Sequence, residues 1–186
     1  MEKENSHPGD KSSGNQFIKS VVIVLFLIVF VAAPANAYAQ AAKPEVNPIT
    51  EAAMKAGVKS CKDRINQVSN FLTANTNSGW LLFQPTSQPD QRLISVSMEV
   101  ATKDVASAYV SESFAPNQAN GCAGMYETVI YWEAGCSDVA KKQFTTFKRA
   151  GVLSKNISIL DGGVGVRVFL MPAGKGCVAI KKEVLQ

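Results

Sequence analysis

The chain has 186 residues, of which 46% are hydrophobic and 18% charged, and its formal net charge is +4. This length suits one domain after an amino-terminal leader, and the positive charges are spread along the chain instead of forming the basic stripe of a nucleic-acid-binding protein. The single histidine, His7, lies in the leader, which excludes Ser-His-Asp and Cys-His catalysis in the domain and removes the commonest transition-metal ligand. We expect no nucleic acid, metal or cofactor.

Residues 1–37 are predicted to be a signal peptide. The apolar run 21–33 is too short to cross about 30 Å of hydrocarbon as a helix, and Ala35-Asn36-Ala37 provides the small residues of a cleavage site. Cleavage is expected after Ala37, with Ala39 as a second position. The long leader ahead of the apolar run leaves an uncleaved signal anchor as the alternative. We expect a periplasmic or secreted protein without stable membrane insertion after cleavage.

Residues 38–49 are predicted to form a flexible mature amino terminus, and residues 50–186 a single disulfide-bonded domain. Helical character begins at Thr50. From residue 58 the apolar residues recur at steps of three and four, which predicts an amphipathic helix that ends at the turn 75–79. Its apolar stripe consists of Val58, Cys61, Ile65, Val68 and Leu72.

The middle of the chain is predicted to form strands at 80–84, 93–101, 105–114 and 125–132. The second of these alternates between Ile94, Val96, Met98 and Val100 on one face and serines or Glu99 on the other, which is typical of a half-buried antiparallel strand. The serines Ser95, Ser97, Ser107 and Ser111 are assigned to solvated faces, because no histidine is present to activate them.

A second helix is predicted over 137–150, followed by strands at 157–160, 164–171 and 177–184. Its inner stripe contains Cys136, Ala140, Phe144 and Phe147, with Gly151 as the stop. The segment 161–165, Asp-Gly-Gly-Val-Gly, has the glycines of a phosphate-binding loop, but a strand follows it where such a loop requires a helix. A hairpin turn is therefore predicted there.

The two halves of the chain share a pattern around their cysteines. Gly121-Cys122 resembles Gly176-Cys177, and Cys136-Ser-Asp138 resembles Cys61-Lys-Asp63. The order helix, strands, helix, strands indicates an α+β fold: a duplicated helix-plus-strands unit with one antiparallel sheet and both helices on one face.

Four cysteines in an exported chain predict two disulfides. Duplication favours two connectivities, either Cys61–Cys122 with Cys136–Cys177 or Cys61–Cys177 with Cys122–Cys136. We prefer the second, since it closes a short corner between a strand and a helix and ties the domain ends together. If Val178 and Ile180 face the helices, however, Cys177 must point away from them. The adjacent glycines suggest that both strand cysteines precede regular strand geometry.

Two kinds of site are considered. Asp63 and Asp138 occupy matching positions and could act as a carboxylate pair, although acids in the first turn of a helix also stabilise its dipole. The aromatic residues Tyr131, Trp132 and Trp80 lie in or beside strands. Because Tyr131 and Trp132 are adjacent, one of them should lie on the helix-free face of the sheet and could anchor a partner.

These patterns predict a binding or adaptor domain that engages a protein partner or an envelope component through the open face of its sheet. We expect no catalytic residue. The first alternative is a small envelope hydrolase that uses carboxylates such as Asp138, Glu127 or Glu133. The second is a subunit of an envelope secretion or transfer assembly, whose signal peptide would be retained as an anchor.

Overall fold

The computed structural model describes residues 46–101 and 107–185, so the predicted signal peptide and most of the segment 38–49 lie outside the described residues. The helices are α1 Pro48–Lys55, α2 Lys62–Thr73 and α3 Cys136–Gln143. The strands are β1 Asn77–Phe83, β2 Ile94–Ala101, β3 Ala108–Asn117, β4 Gly121–Trp132, β5 Lys148–Val152, β6 Ser158–Asp161, β7 Val166–Ala173 and β8 Gly176–Leu185. Within these ranges no helix is long and apolar enough to cross a membrane.

The eight strands form one antiparallel sheet in the order β1-β2-β3-β4-β8-β7-β6-β5. Each half of the chain contributes four consecutively paired strands, and the halves meet where β4 pairs with β8. This seam runs from Gly124 opposite Leu185 to Trp132 opposite Cys177. The sheet and the two disulfides confirm the predicted α+β class.

The buried side chains form two clusters whose strand residues all lie on one face of the sheet. Opposed residues of an antiparallel ladder share a face, so the pairs Tyr126–Glu183 and Trp132–Cys177 place Tyr126 of the first cluster and Cys177 of the second on the same side. We call this side the core face and the opposite side the outer face. Residues of α1 and α2 pack in the first cluster, and Val139 of α3 packs in the second.

Both strand cysteines lie within regular strand geometry and point into the core. Cys122 shares the core face with Tyr126, and Cys177 shares it with Ala179. The expectation that the cysteines precede the regular strands is therefore wrong, as is the placement of Val178 and Ile180 towards the helices. Central strands carry apolar residues on both faces here, so hydropathy alone does not decide which face is buried.

The second predicted helix is too long, and one strand was missed. The helix α3 ends at Gln143, and the residues that follow form β5, which pairs with β6. Phe144 and Phe147 lie in the turn after α3, where their rings pack edge to face with centroids 5.4 Å apart. Their spacing of three residues also fits a helical stripe, which is why the helix was predicted to continue. Gly151 does not stop the helix; it lies at a bulge in β5 with a φ of 147°.

The disulfides join Cys61 to Cys122 and Cys136 to Cys177. The preferred connectivity was wrong, because Cys122 stands near the start of β4 and Cys136 follows its end. A strand rises about 3.3 Å per residue, so the two residues lie far beyond the Cα separation of about 4–7 Å that a disulfide allows. Each observed bridge instead fastens the start of a helix, α2 or α3, to the core face of the sheet, with Cα separations of 5.1 and 5.0 Å.

Candidate functional site

A row of five apolar side chains crosses the outer face of the sheet. The strand register places each member directly opposite the next, across β3, β4, β8, β7 and β6. We call this the apolar row; its members are Tyr109, Val129, Ile180, Phe169 and Ile159. Four strand spacings of about 4.8 Å make it roughly 19 Å long. None of its members belongs to either core cluster, and Tyr109 is 47% exposed.

A charged row runs beside the apolar row, two residues along each strand. Lys182 donates to Glu127 at 2.9 Å across the seam, and Arg167 donates to Asp161 at 2.7 Å. Lys148 on β5 stands opposite Asp161 and completes the row. The outer residues of β2 are polar, with Ser95 and Ser97 among them, as the sequence predicted. The apolar row therefore has a polar boundary on two sides.

The three aromatic residues predicted as partner contacts lie in different places. Tyr131 is on the outer face next to the apolar row, with 53% of its surface exposed, and its ring lies close over Gly176, which has no side chain to obstruct it. Trp132 is on the core face, packed against the second cluster, and its indole N–H has no hydrogen-bond partner within 46–101 and 107–185. Trp80 is opposite Met98 on the core face, at the edge of the sheet. Only Tyr131 contributes to the outer face.

The carboxylates considered for hydrolysis do not converge. Glu127 lies on β4 and is ion-paired with Lys182 of β8. Glu133 follows the end of β4, so at the rise of an extended chain it lies roughly 20 Å from Glu127. Asp138 is exposed in the first turn of α3. Asp63 is also in the first turn of its helix, because α2 begins at Lys62 and not at residue 58 as predicted, and this gives it the same dipole role.

Glu112 on β3 is a buried carboxylate that the sequence analysis did not identify. It is 0% exposed on the core face, where its Oε2 accepts a hydrogen bond of 3.0 Å from Ser69 of α2 and its Oε1 has no partner among the described residues. Burial raises the pKa of Glu112 to about 7, and the Ser69 hydroxyl opposes part of that rise. Glu112 stands directly opposite Tyr126 in the register of β3 and β4.

A polar group of three residues bridges the seam on the core face. Tyr126 donates a 2.5 Å hydrogen bond to Glu183, and Lys181 donates to both of them at 2.9 and 2.8 Å. Burial raises the pKa of Tyr126, and its bond to the Glu183 carboxylate adds to the rise. Burial alone would lower the pKa of Lys181, but its bonds to Glu183 and Tyr126 raise it overall. The group joins the two halves electrostatically.

Neither a metal centre nor a phosphate loop is formed by the described residues. No cluster of three or more His, Cys, Asp or Glu side chains occurs within 46–101 and 107–185. The segment 161–165 is a hairpin turn between β6 and β7, as predicted, and Arg167 donates hydrogen bonds to Asp161 and to the carbonyl of Gly163 there.

Sequence reasoning missed the apolar row because its members are distant along the chain. Each residue sits in a different strand, and only the register brings the five together. In comparisons with known proteins, no family model matches the sequence, and neither a curated protein nor a solved structure has significant similarity to it.

Proposed function

We propose that this protein is an exported binding domain that engages a protein partner through the apolar row and the adjacent Tyr131. The observation that supports this proposal is the continuous line of apolar side chains on the outer face, none of which belongs to either core cluster. Tyr109 is the exposed member of the row and the other four are half-buried. Large contiguous apolar patches on soluble proteins usually mark interaction sites, and an apolar centre with a polar boundary is the usual composition of a protein interface.

We further propose that the two halves are a duplicated unit whose helices all cover the core face. Each half has a cysteine at the start of a helix, as the residue before α2 or the first residue of α3. Each half also has a disulfide from that cysteine to the second residue of its last strand, and four strands in the same sequential order. Helices restricted to one side would leave the outer face free for a partner.

The two disulfides indicate an oxidising, extracytoplasmic environment. Together with the signal-like leader, they support export to the periplasm or the medium. A protein partner in the same compartment is therefore the occupant we propose for the outer face.

The test is affinity capture from native envelope extract with the oxidised protein as bait, followed by titration of the captured partner. Tyr109→Ala and Tyr131→Ala are each expected to weaken partner binding about 30-fold, which corresponds to roughly 2 kcal/mol, the cost of removing an aromatic anchor. The matched control is Phe71→Ala, because Phe71 is 66% exposed on α2 and lies away from the outer face. Thermal unfolding of all three variants verifies that they fold.

Two results would contradict the proposal. Equal loss of binding in Phe71→Ala and in the outer-face variants would mean that the row is not the contact. Concentration-dependent dimerisation in sedimentation experiments, abolished by Tyr109→Ala, would mean that a second copy covers the outer face instead of another protein.

A further inference from the structure

A cavity of about 610 Å³ opens on the core face between α3 and the strands β5, β6 and β7. Its floor is apolar, because Leu160 and Leu170 are only 6% and 1% exposed. The half-buried rings of Phe144 and Phe147 line one side. This volume and this mainly apolar lining lie within the range of sites that bind small organic ligands.

The cavity occupies a place that a helix fills in the other half. There α1 is held against α2 by hydrogen bonds from the Asn47 backbone to Asn66 at 2.8 Å and from the Asn47 side chain to Asn70 at 3.1 Å. Asn66 and Asn70 are five and nine residues beyond Cys61. The residues five and nine beyond Cys136 are Lys141 and Thr145, and both line the cavity.

The second half has no helix to put in this place. The connection between β4 and α3 is only the segment 133–135, which is too short to form one. The open space beside α3 therefore follows from the short connection between β4 and α3.

Two cations stand on opposite walls of the cavity. Lys141 belongs to α3, while Arg149 belongs to β5 and lies directly opposite Leu160 in the strand register, which places it on the core face. None of the lining residues is acidic. Within the part of the chain that the structure describes, neither Lys141 nor Arg149 forms an ion pair. The site thus combines an apolar floor with uncompensated positive charge at its rim.

We infer that this cavity binds a small amphiphile with an apolar chain and an anionic head group, of the class of long-chain carboxylates. The chain lies over Leu160 and Leu170, and the head group lies between Lys141 and Arg149. An apolar chain gains free energy by leaving water for this floor, whereas a cationic head group would be repelled by the rim. The site is on the opposite side of the sheet from the apolar row and is independent of partner binding there.

Isothermal titration calorimetry of the purified oxidised protein with dodecanoate, kept below its micelle-forming concentration, tests the inference. We expect saturable binding of one ligand per chain, and binding of dodecyltrimethylammonium that is at least about tenfold weaker. The double variant Lys141→Gln/Arg149→Gln is expected to bind dodecanoate on the order of tenfold more weakly, as for two exposed ion pairs. Lys142→Gln/Arg92→Gln, which removes the same charge outside the cavity, is the matched control and should bind normally.

A second variant tests the location without changing charge. Ser158 lines the cavity from β6, so Ser158→Phe should fill it and abolish dodecanoate binding while thermal unfolding shows an intact fold. The inference is overturned if dodecanoate does not bind, if both surfactants bind equally, or if Ser158→Phe binds as the unaltered protein does. It is also overturned if only an acidic amphipathic peptide binds, because the groove would then accept a partner's helix.

Discussion

Among the described residues, Glu112 is the one Asp, Glu, Lys or Arg side chain that is fully buried. Glu112 pairs with Tyr126, four residues after Cys122, and Val168 pairs with Lys181, four residues after Cys177. If the two halves are the duplicated unit proposed above, Glu112 and Val168 hold corresponding places in them. The Ser69 that bonds Glu112 likewise corresponds to Phe144, eight residues beyond the helix cysteine. One half uses a polar pair where the other uses apolar side chains.

Because Glu112 is buried, we expect the free energy of unfolding to decrease as the pH rises. Its pKa is near 7 in the folded state and near 4.5 in an exposed carboxyl, so the folded protein binds the proton more tightly. The contribution of Glu112 to the free energy of unfolding is greatest below pH 4.5. It declines by up to about 3 kcal/mol as the pH rises to 7. Urea unfolding at pH 5 and pH 8 measures the change.

Glu112→Gln should remove most of this pH dependence between pH 5 and 8, because an amide does not titrate. The control is Glu133→Gln, which alters an exposed carboxylate after β4 and should keep the pH dependence of the unaltered protein. If Glu112→Gln retained the full decline, another group would be responsible and the assignment to Glu112 would be wrong.

At the scale of elements, the unpredicted strand β5 depends on a glycine at its bulge. Gly151 has a φ of 147°, a backbone conformation that residues other than glycine rarely adopt. The pairing register with β6 shifts between Arg149 and Gly151. The bulge lets a short edge strand follow the aromatic pair Phe144–Phe147 and still pair with β6.

Gly151→Ala is expected to lower the free energy of unfolding by about 2 kcal/mol through backbone strain alone, since an added Cβ would meet no other atom within 4 Å. Gly79 in β1 is the matched control: its Cβ would also have open space, and its φ is ordinary. Gly79→Ala should therefore be neutral or stabilising by about 0.5 kcal/mol. Denaturant unfolding measures both, and equal effects would refute the strain argument.

At the scale of the whole molecule, the two halves are joined by the β4–β8 ladder and by the Tyr126, Lys181 and Glu183 group across it. Each half also has its own disulfide. Because the ladder is continuous through the middle of the sheet, neither half can lose its strands without exposing the edge of the other.

Removing either disulfide is expected to destabilise the entire protein by a similar amount. The bridges close loops with sequence separations of 61 and 41 residues, and loop entropy predicts about 4 kcal/mol for each, differing by less than about 0.5 kcal/mol. The variants are Cys61→Ala/Cys122→Ala and Cys136→Ala/Cys177→Ala, measured by denaturant unfolding with two spectroscopic probes. Separate transitions for the two halves would contradict a single cooperative unit.

The fold class and the strand β2 could be predicted from the sequence because they depend on local patterns. Strict alternation from Ile94 to Val100 marks a half-buried strand wherever it is placed. The end of α3 could not be predicted, since the spacing of Phe144 and Phe147 fits both a helix and the aromatic turn that is formed. Helix ends are decided by packing against the sheet as much as by local sequence.

The sequence by itself determined that this chain has a histidine-free α+β domain with an even set of cysteines in a repeated pattern, because composition and short periodicities are local properties. Only the tertiary structure decided which cysteines are bonded, which of Tyr131 and Trp132 reaches the outer face, and that five apolar residues form one row. These features depend on strand register, in which a shift of one residue exchanges the two faces of a strand. Register is set by pairings between residues that are distant in the chain.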